Sequence, residues 1–229
     1  AFYELNLTLG GALGNPAAGL VLEGRGFAAF GLTLFVLTAA TLLGTVLFVP
    51  RLAEPGARHN PASRGERRDW RHTWVGVLAL IGRPVVAMLL ALRFLPTVCY
   101  GMMGVLIPLL INRIAGHKTT VAFYGTASLV AASTAQLLAG RAADRFGRRW
   151  PTLLSFGALI AAALGLGLYP QHLWGVVAFG VLGNSAAWSL SALMFCLVSD
   201  GAPKEEHGRV LGLLHGIWSL GMVAGAMLG

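Results

Sequence analysis

The chain has 229 residues, 56% of them hydrophobic and 11% charged, and its mean hydropathy is +0.71. Soluble domains carry ~25% charged residues, so a soluble enzyme or binding domain is excluded and a polytopic membrane protein is the class that fits. The net charge of +8 and sequence pI of 10.5 do not point to nucleic acid, because the positive residues gather in short stretches between apolar runs, where they set topology.

Taken in order, the apolar runs predict seven membrane-spanning helices, at about 3–22, 27–49, 84–111, 120–139, 150–168, 173–198 and 209–229. The breaks are distinct. Leu22 to Gly26 is a tight polar turn, and Arg51 to Thr73 is a long basic linker with Pro55 and Pro61 and no apolar period. Trp74 to Arg83 is apolar with flanking charge and is expected to be an interfacial helix feeding the third span. Asn112 to Lys118 and Tyr169 to His172 are short turns, and Ser199 to Arg209 is a charged loop with Pro203. The loops on the side of 51–73, 140–149 and 199–209 hold twelve Lys and Arg, against three on the other side (Arg25, Arg113, Lys118), so the first side is expected to be cytoplasmic. Cys99 and Cys196 lie inside apolar runs and are expected to be core thiols, not a disulfide or a metal pair. The sequence begins Ala1-Phe2-Tyr3, with no Met and no signal peptide, which predicts a piece of a longer chain.

Between the fourth and fifth spans lies Gly140-Arg141-Ala142-Ala143-Asp144-Arg145-Phe146-Gly147-Arg148-Arg149. A stop-transfer cluster needs positive charge, but it needs neither the aspartate nor glycines at these two places. The spacing Gly-x-x-x-Asp-Arg-x-Gly-Arg-Arg resembles the signature loop of the major facilitator superfamily of secondary transporters, with every fixed position met. A second pattern fits. Gly11-x-x-x-Asn15-Pro16-x-x-Gly19 in the first span is matched by Gly221-x-x-x-Gly225-Ala226-x-x-Gly229 in the last, as in a carrier built from two repeated halves. Gly11, Pro16, Gly19, Gly221 and Gly225 are the expected helix-packing positions.

The resemblance implies an all-α, polytopic membrane helix bundle: a partial twelve-helix fold whose seven spans correspond to helices 5 to 11. Residues 1–50 then form the last two helices of an N-terminal bundle, 51–74 a cytoplasmic linker, and 75–229 five helices of a C-terminal bundle whose final helix is missing. One departure from the family stands out: in the helix-5 antiporter signature, Asn15 replaces the first glycine and Leu20 the last, so that motif does not secure drug–proton antiport.

The same resemblance implies a conformational latch of Gly140, Asp144, Arg145, Gly147, Arg148 and Arg149. Asp144 is expected to be a buried acid that meets the positive end of a helix in the other half, near Glu4. The plainer reading of Glu4 is a carboxylate snorkelling at the interface. Helix 7 of the family lines a central cavity, and Arg93, Thr97, Tyr100 and Gly104 share one face of the third span. Arg93 either meets an anionic group or snorkels to the surface. Asn184, Trp188 and Ser191 share a face of the sixth span and offer either an orienting cavity wall or interhelical hydrogen bonds. His215 and Trp218 are cavity candidates with packing as the alternative, and Gln136 is a candidate that suits structural glue equally.

No acid lies at a span centre. A proton-coupled carrier therefore needs its carboxylate elsewhere, with His215 the only local substitute. There is no metal, cofactor or phosphate-cradling pattern and no enzyme constellation. The expected function is transport of a small solute by alternating access, in either direction, as an efflux or uptake permease in the plasma (inner) membrane. Expected partners are a small-molecule solute and the lipid bilayer, with protons a candidate coupling ion, no nucleic acid, and a monomer when full length. The alternatives are a non-transporting assembly or sensor subunit with the same fold, and a membrane-embedded enzyme, which the lack of paired polar groups at one depth disfavours.

Overall fold

The computed structural model describes residues 80–202 and 206–229, together with 12, 14–18, 20–21, 28–29, 31–41 and 43. The described residues form helices and turns, with no strand. Five helices are long and apolar enough to cross a membrane: α1 (Pro84–Ala115), α2 (Lys118–Phe146), α3 (Arg149–Leu168), α4 (Leu173–Gly201) and α5 (His207–Leu228). The shortest has 20 residues, which at ~1.5 Å per residue matches a ~30 Å hydrocarbon layer. Of the first two predicted spans, only short helical stretches are described, the longest being the exposed helix Gly31–Thr41. Gly11 and Gly19 lie outside the described residues, as do Glu4 and the linker; Pro16 is half-buried within the helical stretch 14–18. The expected interfacial helix is described only from Leu80, where a turn brings the Arg83 amide to the Leu80 carbonyl at 3.1 Å.

The helices start and stop where the sequence gives them reason. α1 opens on Pro84, which has no N–H to leave unsatisfied. It ends at Gly116, whose φ of 74° lets its amide bond the Asn112 carbonyl. Short connections make successive helices antiparallel. The start of α1, end of α2, start of α3, end of α4 and start of α5 therefore share one end of the bundle. That end carries Arg83, Arg141, Arg145, Arg148, Arg149 and Arg209, and the opposite end Arg113 and Lys118.

α4 is the axis: it packs on α1, α2 and α3, while α5 lies along α1. Its buried positions include Gly180, Gly183, Asn184, Leu190, Leu193 and Val198. Outward faces are apolar, with Leu154, Leu164, Val223 and Met227 all exposed, as a lipid-facing surface requires. Because lipid tails are as apolar as leucine, helix association depends on close van der Waals fit. The fit is tightest between α1 and α5. A Cβ on Gly101 would stand 2.8 Å from the Met222 carbonyl oxygen, one on Gly221 would stand 3.0 Å from the Thr97 Cβ, and one on Gly225 would fall on the Val98 carbonyl oxygen. Hydroxyls along the spans are satisfied within their own helices: Ser133, Ser155 and Ser189 each donate to the carbonyl four residues back at 2.8 Å.

Replacing Gly225 by Ala should force α1 and α5 apart and cost about 1–3 kcal/mol through overpacking. A fall in the thermal unfolding midpoint of the full-length protein in detergent checks this. Gly216→Ala is the control, since a Cβ there meets nothing within 4 Å.

Candidate functional site

α1 contains two prolines, Pro96 and Pro108. Neither can donate to the carbonyl four residues back, so the carbonyls of Leu92 and Gly104 lose their helical partners. Each proline lines a cavity together with that carbonyl's residue.

The first cavity, of about 170 Å³, lies between α1, α4 and α5. Arg93, Thr97, Tyr100, Trp188, His215 and Trp218 line it, with Ser191 and Met194 beside them. Most of the sequence-predicted cavity residues therefore converge on one space. Thr97 is buried and donates to the Arg93 carbonyl at 2.7 Å. The rings of His215 and Trp218 stand 6.3 Å apart. Tyr100 and Trp188 meet edge to face at 6.0 Å, an arrangement the ring quadrupoles favour. The Trp188 indole N–H is buried and finds no acceptor in hydrogen-bond geometry among the described residues, although Tyr100 is its neighbour.

Two candidates sit elsewhere. Gln136 is buried on α2 and reaches the Trp188 carbonyl at 3.5 Å, the outer limit of a hydrogen bond; it lines neither cavity and holds α2 to the α4 backbone. Asn184 shares a face with Trp188 and Ser191, but it lies about a turn away in depth and lines a second cavity of about 240 Å³. There its side-chain amide donates to the Ser128 hydroxyl of α2, and Tyr124, one turn before Ser128, lines the same space. Gly104 lines this cavity too. Tyr124 and Ser128 were not singled out from the sequence. Their spacing of four on one helix face, opposite Asn184 on α4, is the signal that could have found them.

The signature decapeptide is corrected in form. It is not a hinge across its length, because α2 runs on to Phe146; Arg141 to Arg145 are all residues that a helix accepts. The turn is confined to Gly147 and Arg148. Gly147 has φ 78° and ψ 168°, a conformation open to glycine almost alone. Gly140 is in mid-helix, and a Cβ there would meet nothing within 4 Å.

Asp144 was expected to be buried among arginines. It is instead exposed in the last turn of α2 and makes no ion pair among the described residues, because α2 presents it on the outer side of the helix end, while Ala143 turns inward and is buried. Arg148 pairs with Asp200 at the end of α4, Nε to Oδ2 at 2.8 Å and Nη2 to Oδ1 at 3.1 Å, a bidentate fork. Arg145 lies 5.3 Å over the Phe146 ring, and Arg149 is exposed. At the same end Arg83 bonds Glu206, tying the start of α1 to the start of α5.

Long apolar helices with charge at their ends and a polar-lined cavity at mid-depth define a multi-pass integral membrane protein. The chain belongs to the Major Facilitator Superfamily, whose family model matches residues 1–229. It is similar to the tetracycline resistance protein, class H, of Pasteurella multocida, 28% identical over 153 residues, which cover 63% of this chain and 36% of that protein. It is also similar to citrate exporter 1 of Yarrowia lipolytica, 30% identical over 110 residues (48% and 16%), and to the MFS-type transporter poxA of Penicillium oxalicum, 27% identical over 154 residues (66% and 27%). The matched stretch thus spans about a third or less of these relatives. No solved structure matches the chain.

The two motif glycines should respond differently to mutation. Gly147→Ala should cost about 1–3 kcal/mol, the penalty of forcing a side chain into that backbone region, whereas Gly140→Ala should leave folding unharmed or gain up to ~1 kcal/mol of helix propensity. Unfolding midpoints of the two full-length variants decide this, and equal losses would refute it.

Proposed function

We propose that the protein moves a small solute across a membrane by alternating access, two helical bundles rocking about a mid-depth site. The observation that supports it best is the first cavity, where Arg93, His215 and two indoles face one space in an otherwise apolar wall. Relatives named for tetracycline resistance and citrate export point the same way. On this reading residues 1–50 end one bundle, 51–74 link the halves, and 75–229 form the other. The arginine-rich end faces the cytoplasm, and the membrane is the plasma (inner) membrane. No enzymatic step is assigned.

The cavity suits an amphipathic solute with an acidic or hydrogen-bond-accepting group. A carboxylate would meet the Arg93 guanidinium, a charge-assisted contact worth about 1.5–3 kcal/mol. The full-length protein in liposomes should show saturable flux of tetracycline or citrate, and Arg93→Gln should raise KM for a carboxylate solute by roughly tenfold or more. Absence of both net flux and counterflow for both probes would overturn transport in favour of a non-transporting membrane component.

Asp144, with Arg145 and Arg148, is the proposed latch to the other half at the cytoplasmic end, with Glu4, which lies outside the described residues, as a facing group. Asp144→Asn should slow flux while insertion and folding stay normal; an unchanged rate would sink the latch. Protons are the proposed coupling ion, with the cavity-lining imidazole of His215 as the proposed proton carrier. His215→Gln should then abolish flux driven by a pH gradient while sparing solute exchange, and retained gradient-driven flux would rule His215 out.

A further inference from the structure

The two cavities are in series along the bundle. α1 passes the first cavity between Leu92 and Tyr100, and the second between Tyr100 and Pro108. α4 runs the other way and agrees: Gly180 and Asn184 line the second cavity, and Ala187 to Met194 the first. Tyr100 is the one lining residue they share among the described residues, and it lies at the middle of α1, with Trp188 against it at the middle of α4. The aromatic pair thus stands between a space nearer the arginine-rich end and a space nearer the opposite end.

The two spaces differ in chemistry. The first holds the cationic Arg93 and the imidazole of His215. Among the described residues the second is lined by no charged side chain. Its polar side chains are Asn15, Tyr100, Tyr124, Ser128 and Asn184. Two glycines shape it: a Cβ on Gly180 would stand 2.8 Å from the Tyr124 hydroxyl, and one on Gly125 would stand 2.7 Å from the Asn15 amide nitrogen. Amides and hydroxyls both donate and accept, so such a wall matches hydroxyl, amide or carbonyl groups and gives a carboxylate no counter-charge. The buried indole N–H of Trp188, which has no acceptor in hydrogen-bond geometry among the described residues, sits at the boundary beside Tyr100, within reach of an oxygen of a passing molecule.

We propose that the second cavity is a separate, uncharged polar subsite for the hydroxyl, amide or carbonyl edge of a solute, and that the Tyr100–Trp188 pair is the partition between it and the basic cavity. This deepens the transport reading, on which it rests for the solute's route. The solute class it names is amphipathic molecules with an acidic or accepting group at one end and a neutral polar edge at the other.

The test reads the two spaces without needing flux. In the full-length protein with its native cysteines replaced, Gly104→Cys reports on the second cavity, since a Cβ there meets nothing within 4 Å, and Ala187→Cys reports on the first. Each is reacted in detergent with an anionic and a cationic methanethiosulfonate of similar size. The anionic-to-cationic rate ratio should be about tenfold or more at Ala187→Cys, drawn up by the field of Arg93, and near one at Gly104→Cys. Adding Trp188→Ala should pull the Gly104→Cys ratio toward the higher value. Equal ratios at both positions in the protein that keeps Trp188 would overturn the two-compartment assignment, as would no reaction at Gly104→Cys, and a ratio there unmoved by Trp188→Ala would overturn the partition. A second reading uses flux: Tyr124→Phe with Ser128→Ala should raise KM for tetracycline severalfold and leave KM for citrate within about twofold, and equal effects on both would count against the neutral subsite. Distinct thiol ratios with no flux would sink transport and keep the compartments; flux with equal ratios would do the reverse.

Discussion

Inside a bilayer a backbone carbonyl has no water to turn to, and α1 breaks its own hydrogen-bond ladder twice. Pro96 and Pro108 release the carbonyls of Leu92 and Gly104, and in both places the proline and the residue four before it line a cavity. A proline facing hydrocarbon would leave a carbonyl unsatisfied at a cost of several kcal/mol; facing a cavity, it leaves an acceptor within reach of water or solute. The two prolines of α1 and the two cavities therefore go together. The remainder of the bundle holds α1 where its defects face inward, with α5 pressed along one side through Gly101, Gly221 and Gly225 and α4 along another through Gly183 beneath Met103.

That arrangement also accounts for the placement of the polar side chains. Hydroxyls that bond their own helix, such as Ser155 and Ser189, need no partner across the bundle and leave interhelical fit to small residues. Two mid-span groups of α4 cross between helices: the Asn184 amide donates to Ser128, and the Trp188 carbonyl accepts from Gln136. The Trp188 ring faces the first cavity while its backbone carbonyl accepts from Gln136, and Asn184 both lines the second cavity and anchors α2. A side chain such as Trp188 held from behind keeps its ring at a fixed depth, which a partition between two spaces requires.

Much of the fold was legible because a membrane span is written in a simple code. Runs of about twenty apolar residues bounded by Gly, Pro and charge placed the five described spans to within a few residues at most ends. The largest miss was the end of α2. An arginine-rich stretch suggests a loop, yet Arg and Ala are good helix formers and only Gly147 enforces the turn. Face periodicity brought Arg93, Thr97, Tyr100 and Trp188 to one cavity, but it carries no depth. Asn184 and Trp188 share a stripe and still belong to different spaces, one turn apart. Tyr124 and Ser128 escaped notice for a related reason. α2 carries hydroxyls at many positions, Thr119, Thr120, Thr126, Ser133 and Thr134 among them, so these two form no pattern of their own and take their meaning from the helix opposite.

At the arginine-rich end, the described residues separate the signature's positive charges by what already holds them. Arg148 is committed to Asp200 in a bidentate fork and Arg83 to Glu206, so each ties one helix end to another within the same bundle. Both pairs are partly exposed, and exposed pairs contribute only ~0–1 kcal/mol. Such a contact can exchange partners when a competing acid or helix end arrives, at little cost to the bundle. A tightly buried pair could not, since separating it costs about 3–5 kcal/mol. Asp144, exposed on the neighbouring turn, brings negative charge close to that exchangeable arginine. The end of the bundle thus combines a rigid element, the glycine turn at Gly147, with side-chain pairs weak enough to be rearranged. On the proposed latch reading, docking and release would draw on both: a fixed backbone to set the geometry, and side-chain contacts that are lost at little cost.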